Sequence, residues 1–370
     1  MSNIFTGLKI IDCTKVFSGP FASRYFADYG AEVIKIESLE NYDESRNFTP
    51  LKNGKSGYFE ILNRGKKSIT LNLKDKNDLN MFYNLIKESD IFLENFSPKI
   101  KKKLKIDYEV LSDINPKLIY GSLNGYGENI DKKAYDIIIQ AESGLSSLNG
   151  ETKPMKNATA IIDTFSGLSL SLAISSLLYK REITGKGDFV NIPMVACGIQ
   201  LLEQNLIETS IKGKNPSLTG NHDNAIFPFG FFKTKNGEIV IAIGNDNLWQ
   251  IFTKNLIPEL FGKYNSNQER LDNKNYLISL IENVFLNYTK EELNKMLDDL
   301  GIPNGKINKM QDLLNDKILY ENNFIKKLNH EELGEIVIPY EFIKYKSYKI
   351  EEIKKAPKLG ENNQNYNINK

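Results

Sequence analysis

The chain has 370 residues, of which 41% are hydrophobic and 26% charged, and its formal net charge is +1. That length suits two domains, or one large domain with an insertion, around a sizeable core. The near-zero charge excludes global attraction to nucleic acid, so an anionic ligand has to be held by local basic clusters. No apolar run approaches the roughly 20 residues of a membrane span, and the start lacks the basic and apolar regions of a signal peptide, so a cytoplasmic protein is expected. Cys13 and Cys197 each sit in an apolar stretch and offer neither a disulfide framework nor a metal cluster.

In chain order, residues 8–12 (LKIID) and 32–36 (EVIKI) read as short buried strands, with the helical stretch FASRYFADYG between them ending at Gly30. Similar material follows. KSITLNL reads as a strand, LNMFYNLIKESD as a helix, IFLENF as a strand and LIYGSLNGYG as a strand running into a loop. Strands alternating with helices predict an α/β fold, a Rossmann-like parallel sheet with helices on both faces. A nicotinamide-binding fold needs G-x-G-x-x-G after the first strand, and TKVFSGPFASR lacks it.

Further on, AIIDTFSG ends an apolar run on Asp163 and opens the helical stretch TFSGLSLSLAISSLLYKRE. An Asp at a helix start reads first as an N-cap. Residues 1–190 are thus expected to form most of the large domain, and 191–217 a linker. Residues 218–308 read as a smaller inserted α+β domain. It holds a hairpin, FPFGFFKTKNGEIVIAIG, whose turn contains Asn236-Gly237, and a capping box at Thr289–Glu292. Residues 309–370 return to the large domain, ending in KAPKLGENNQ and a polar tail expected to fray.

Several blocks, in order, carry a resemblance over nearly the whole chain: GLKIIDCTKVFSGPFASRYFADYGAEVIKIE, NRGKKSITLNLK, LENFSPKIKKKL, YDIIIQAESG, IIDTFSG, REITGKGDFVNIPM, GIPNGKI and APKLGEN. The sequence resembles the class III CoA-transferases, the family of the formyl-CoA and carnitine CoA-transferases. The resemblance implies the family's interlocked-dimer fold, in which two ring-like chains pass through each other as a homodimer. It also implies transfer of coenzyme A from an acyl-CoA donor to a carboxylic acid acceptor, with CoA as substrate and no permanently bound cofactor or metal. Asp163 matches the family's nucleophile, which passes through a mixed anhydride and an aspartyl-CoA thioester; a carboxylate ionised at neutral pH needs no general base.

The family's CoA contacts fall on Val16, Ser18, Arg46, Leu71, Lys74, Asn95, Phe96, Lys103, Leu104, Lys133 and Tyr135. Cations among them suit the phosphates of CoA. Lys101 and Lys102 read instead as a solvated helix face. Several relatives have Arg where this chain has Ser38, and Arg46 is the cation placed to compensate. A family loop over the acyl site matches residues 218–224, with Gly220, Asn221 and His222 at its centre and backbone N–H donors as its means. It lacks the glycine run of the formyl-CoA enzyme, which argues against a formyl/oxalate specificity. Carnitine, bile acids, aryl-lactates, branched hydroxy acids and dicarboxylates remain open as acceptors. The rival within the fold is an α-methylacyl-CoA racemase, which needs a His where this chain has Tyr135. A non-catalytic CoA-binding subunit is the rival from another class, and the intact Asp163 argues against it.

Overall fold

The computed structural model describes residues 3–350 and 352–368; Asn369 and Lys370 of the expected tail lie outside the described residues. The chain folds into two compact units. The first holds the chain up to Leu145, then Lys156–Leu206, and the chain from Lys317 on. Its centre is a six-stranded sheet in the order Lys67–Thr70, Glu32–Glu37, Lys9–Asp12, Ile91–Glu94, Ile119–Asn124, Asp188–Pro193. Every neighbouring pair is parallel.

Side chains alternate across the strands, which is why so many runs are apolar at successive positions. Ile10, Val33, Ile91 and Ile119 face one core, shared with the helices Ser18–Asp28 and Ile161–Thr184. Ile11, Ile34, Ile69 and Phe92 face the other, shared with Lys76–Lys87 and Tyr108–Ile114. The chain builds outward from Lys9–Asp12 in one direction, then returns to add Ile91–Glu94 on its other side. In open parallel sheets, the crevice beyond the carboxyl ends of two such strands is where ligands bind.

The 24-residue helix Ile161–Thr184 ends at Gly185, whose left-handed φ of 69° stops it without steric cost. By length and composition this helix is long and apolar enough to cross a bilayer, which corrects the expectation that no run approaches that length. Its serines disguise it: Ser169, Ser171, Ser175 and Ser176 each donate to the carbonyl four residues back, so their polarity is spent within the helix. Its inner residues Ile162, Ser166, Gly167, Leu170 and Ile174 are buried.

The second unit comprises Ser146–Met155 and Ile207–Asp316. A three-stranded antiparallel sheet, in the order Asn304–Lys306, Gly237–Ala242, Phe229–Thr234, packs with helices around Phe227, Phe232, Ile239, Trp249, Phe252 and Phe285. The capping box at Thr289 forms with Glu292. Thr234 pairs with Gly237, so the hairpin turn is Lys235-Asn236, one residue earlier than the Asn-Gly signal placed it.

Three expected boundaries move. The stretch 191–217 is no linker: it completes a strand of the main sheet and then forms the helices Met194–Gln200 and Glu203–Lys212. Ser146–Met155 joins the second unit, and the first resumes at Lys317. KAPKLGENNQ is tied to the sheet, and in the expected tail Tyr366 donates to Glu32 at 3.3 Å and Ile368 is buried. Asn362 and Asn363 accept from the backbone N–H groups of Ser68 and Thr70 at 2.9 Å each, and Asn362 N donates to Ser68 O. These bonds run along the outer strand of the sheet, whose free peptide groups need partners.

Candidate active site

A cavity of about 700 Å³ opens where the sheet topology predicts a ligand. Loops that follow three of its strands line it, at Lys15–Ser18, Asn95–Ile100 and Leu123–Gly125, together with 130–135, Met194 and Asp163. The Lys15–Ser18 segment is held by the half-buried Asn95 and the buried Asp43 and Lys35. Asn95 accepts from Lys15 N at 3.0 Å and donates to Lys15 O at 2.9 Å, which ties the two loops of the crevice together. Asp43 accepts from Val16 N at 3.1 Å, and Lys35, paired with Asp43 at 2.9 Å, donates to Thr14 O at 2.6 Å. Under these constraints Val16 adopts a left-handed φ of 68°, a strained conformation for a β-branched residue.

Asp163 is the third residue of its helix, and its side chain does not cap it. The capping is done by Asp136, the first residue of the helix Asp136–Glu142, which accepts from Ile162 N at 2.8 Å and Asp163 N at 3.1 Å. Ile161 N donates to Thr159 O, and Thr164 N to Ala160 O. The N–H groups of residues 161–164 are therefore all committed and none is free to face the Asp163 carboxylate. The Asp163 carboxylate receives instead the Ser18 hydroxyl, at 2.6 Å on Oδ1. That contact depends on Gly167, where an added Cβ would lie 2.5 Å from Ser18 O. Burial pushes the Asp163 carboxyl up to about 6; the Ser18 bond opposes the rise and the charge of Asp136 adds to it.

Of the residues the sequence singled out, Val16, Ser18, Asn95, Phe96, Lys133 and Tyr135 line this cavity with Asp163. Leu71 lies instead beside a groove of about 180 Å³ shared with Ser38, Leu39 and Glu40. Lys74 and Lys103 are exposed and outside the cavity lining, and Leu104 packs on the core. Arg46 is not the compensating cation. Its guanidinium grips Glu37 at 2.9 and 2.6 Å, donates to Pro357 O at 3.0 Å and lies over Phe59, so its donors are spent inside the fold. Lys101 is no solvated side chain either: it is buried, paired with Glu94 at 3.2 Å and Glu128 at 2.6 Å. Lys102 is exposed. In the second unit Gly220 has φ 53°, and the N–H groups of Thr219, Gly220, His222 and Asp223 all donate to carbonyls of that unit, so four expected donors of the loop are taken. The His222 ring packs edge-on against Phe232 at 5.0 Å, and Asn221 O accepts from Phe231 N.

The sequence pattern gave no sign of Asp136, Lys15, Lys99 or Tyr58 as site residues. Lys15 and Lys99 line the cavity; burial, then the charge of Asp163, push the Tyr58 hydroxyl up to about 12 and keep it protonated. Asp136 stands next to Tyr135 in the YDIIIQAESG block and precedes an apolar run, which is a cap signal. The helix it caps lies 25 residues on, and only the fold brings the two together.

The arrangement is a largely buried carboxylate with one oxygen engaged, beside a cavity with cations at its rim. Over residues 5–363 the chain matches the family described as CoA-transferase family III. A succinyl-CoA:glutarate CoA-transferase of Mus musculus is 33% identical, covering 96% of this chain and 84% of that protein. An acetyl-CoA:oxalate CoA-transferase of Acetobacter aceti is 34% identical, covering 82% and 80%. Among solved structures, a CaiB/BaiF family protein from Brucella suis superposes with a TM-score of 0.86 at 29% identity, covering 99% of each chain.

Proposed function

The chain belongs to CoA-transferase family III, whose reaction moves CoA from an acyl-CoA to a carboxylate, and on that premise we propose that Asp163 is its covalent nucleophile and a small dicarboxylate its acceptor. The observation that carries the first part is the Asp163 carboxylate itself, set in the switch-point cavity with Ser18 on one oxygen. With the carboxyl at about 6, the group is mostly ionised at neutral pH and more basic than an ordinary aspartate, which favours attack on a thioester.

Oδ2 attacks the donor's thioester carbon, and the CoA thiolate leaves a mixed anhydride. The thiolate then attacks Cγ of Asp163, expelling the donor acid and leaving an aspartyl-CoA thioester. An acceptor carboxylate attacks the same carbon, giving a second anhydride, and the thiolate resolves it on the acceptor side. Burial of Asp163 limits hydrolysis of these intermediates by water. Val16, Asn95, Phe96, Lys133 and Tyr135 are assigned to CoA, with Leu71 at the neighbouring groove and the exposed Lys74 and Lys103 as outer contacts. The acceptor class rests on the dicarboxylates, glutarate and oxalate, in the relatives' names. An interlocked homodimer is the proposed assembly, supported by the exposed apolar stripe Leu168, Leu172, Tyr179 and Ile183 on one helix.

The test is mass spectrometry of the enzyme incubated with succinyl-CoA and quenched with hydroxylamine, alongside CoA exchange against a panel of mono- and dicarboxylic acids. A hydroxamate on the peptide carrying Asp163 is expected, with dicarboxylates the fastest acceptors. A hydroxamate on another carboxylate removes Asp163 from the mechanism, and a monocarboxylate as the fastest acceptor removes the acceptor class.

A further inference from the structure

Two of the steps proposed above place negative charge on Asp163 itself. When thiolate or acceptor attacks Cγ, the electron pair of the Cγ carbonyl moves onto the carbonyl oxygen, and a tetrahedral oxyanion needs a donor already in place. Helix starts often supply such donors from their free N–H groups. Here the N–H groups of residues 161–164 are taken, by Thr159, Asp136 and Ala160. Among the described residues, the one hydrogen-bond donor recorded on the Asp163 carboxylate is Ser18 Oγ, 2.6 Å from Oδ1. Ser18 is 4% exposed and belongs to the first turn of its own helix, and its backbone is pressed against Gly167.

We propose that the Ser18 hydroxyl is the oxyanion donor for the two steps at Cγ of Asp163, rather than a CoA contact. This rests on Asp163 as nucleophile. Because Ser18 holds Oδ1, Oδ2 is the oxygen that attacks the donor and becomes the bridge of the anhydride. Thiolate attack then forms the C–S bond and drives the carbonyl electrons onto Oδ1, facing Ser18. Collapse restores the carbonyl and breaks the bond from Cγ to the bridging oxygen, which departs with the donor acid as its carboxylate. The acceptor reverses the sequence: its oxygen bonds to Cγ, charge again appears on Oδ1, and the thiolate leaves. Ser18 keeps its proton throughout, and no other acid or base takes part.

The first step is different. There the charge develops on the donor's own carbonyl oxygen while Asp163 loses charge, so the Ser18 bond weakens. Removing the hydroxyl should spare anhydride formation and slow the two later attacks at Cγ, a split that neither a CoA contact nor a purely structural serine produces.

The experiment tracks covalent species by rapid-quench intact-mass spectrometry of the parent, Ser18→Ala and Ser18→Thr with succinyl-CoA alone. The parent should gain the mass of covalent CoA. Ser18→Ala should gain it about 10²–10³-fold more slowly, the usual loss for one oxyanion donor, while hydroxylamine still traps Asp163 at an early time. Its KM for acyl-CoA should stay near the parental value, and the acid limb of its pH profile should move to higher pH. Ser18→Thr, which retains the hydroxyl, should recover most of the rate; if its extra methyl disturbs the fold, Ser18→Cys of similar shape and weaker donor strength should fall between parent and alanine. Covalent CoA forming at the parental rate in Ser18→Ala, or a raised KM with unchanged kcat, overturns the proposal. Absence of any adduct on Asp163 in the parent removes the nucleophile assignment instead, so the two failures are distinguishable.

Discussion

Replacing Asp163 by asparagine should abolish turnover and at the same time make the protein more stable. Free aspartate titrates at 3.8, and burial holds Asp163 at about 6. A carboxyl whose folded value is raised binds its proton more tightly in the folded state. Its contribution is therefore best below 3.8 and is lost as pH climbs toward 6, leaving a constant cost above that. At about 1.4 kcal/mol per pH unit, a gap of about two units makes the ionised group cost about 3 kcal/mol at pH 8, and about 1.6 kcal/mol at pH 5 where it is partly protonated. Asparagine keeps the shape and the acceptor oxygen for Ser18 but carries no charge to desolvate. Because Asp136 does the capping, no cap is lost. Guanidinium unfolding of purified parent and Asp163→Asn at pH 5 and pH 8 should show the variant ahead at both, by more at pH 8. A variant less stable by about 1 kcal/mol at every pH is the outcome for a simple N-cap, and would refute the assignment of Asp136 as the cap and of Asp163 as an uncompensated buried charge.

Lys133→Ala should raise KM for acyl-CoA by one to two decades at low salt with kcat little changed, since a charge-assisted phosphate contact contributes about 1.5–3 kcal/mol; a parental KM removes Lys133 from the nucleotide site. Arg46→Ala should behave in the opposite manner. It strands the buried Glu37 carboxylate and should destabilise the fold by about 3–5 kcal/mol in an unfolding titration, with KM near the parental value in the folded fraction. A large KM effect with normal stability would restore Arg46 as a ligand contact.

Much of the first unit was legible because parallel strands buried on both faces leave unbroken apolar runs, and LKIID, EVIKI and IFLE sit within a residue or two of where those runs placed them. The Asp163 block was legible too, through the resemblance rather than the residue, since a lone acid before an apolar helix looks like a cap. What stayed hidden depends on partners far apart in the chain. Nothing local distinguishes Lys101, buried between Glu94 and Glu128, from the exposed Lys102 beside it. Nor does anything local show that Arg46 spends its charge on Glu37, or that Asp136 serves a helix other than its own. Ser18 lines the cavity, but its bond to Asp163 was hidden, because a hydroxyl's partner is chosen by the packing of two helices across Gly167.

Asn362 and Asn363 have a bearing on how the protein is made. Lys67–Thr70 forms an outer margin of the parallel sheet, and such margins recruit foreign strands unless something occupies their peptide groups. Here the occupant is Asn362-Asn363, with Asn363 Nδ2 also donating to Thr70 Oγ1 at 2.8 Å. Residues translated early in synthesis are thus shielded by residues that follow far later in the chain. Until the ribosome has delivered that segment, the nascent sheet presents an adhesive side, and protecting it in the meantime falls to chaperones or to speed of completion.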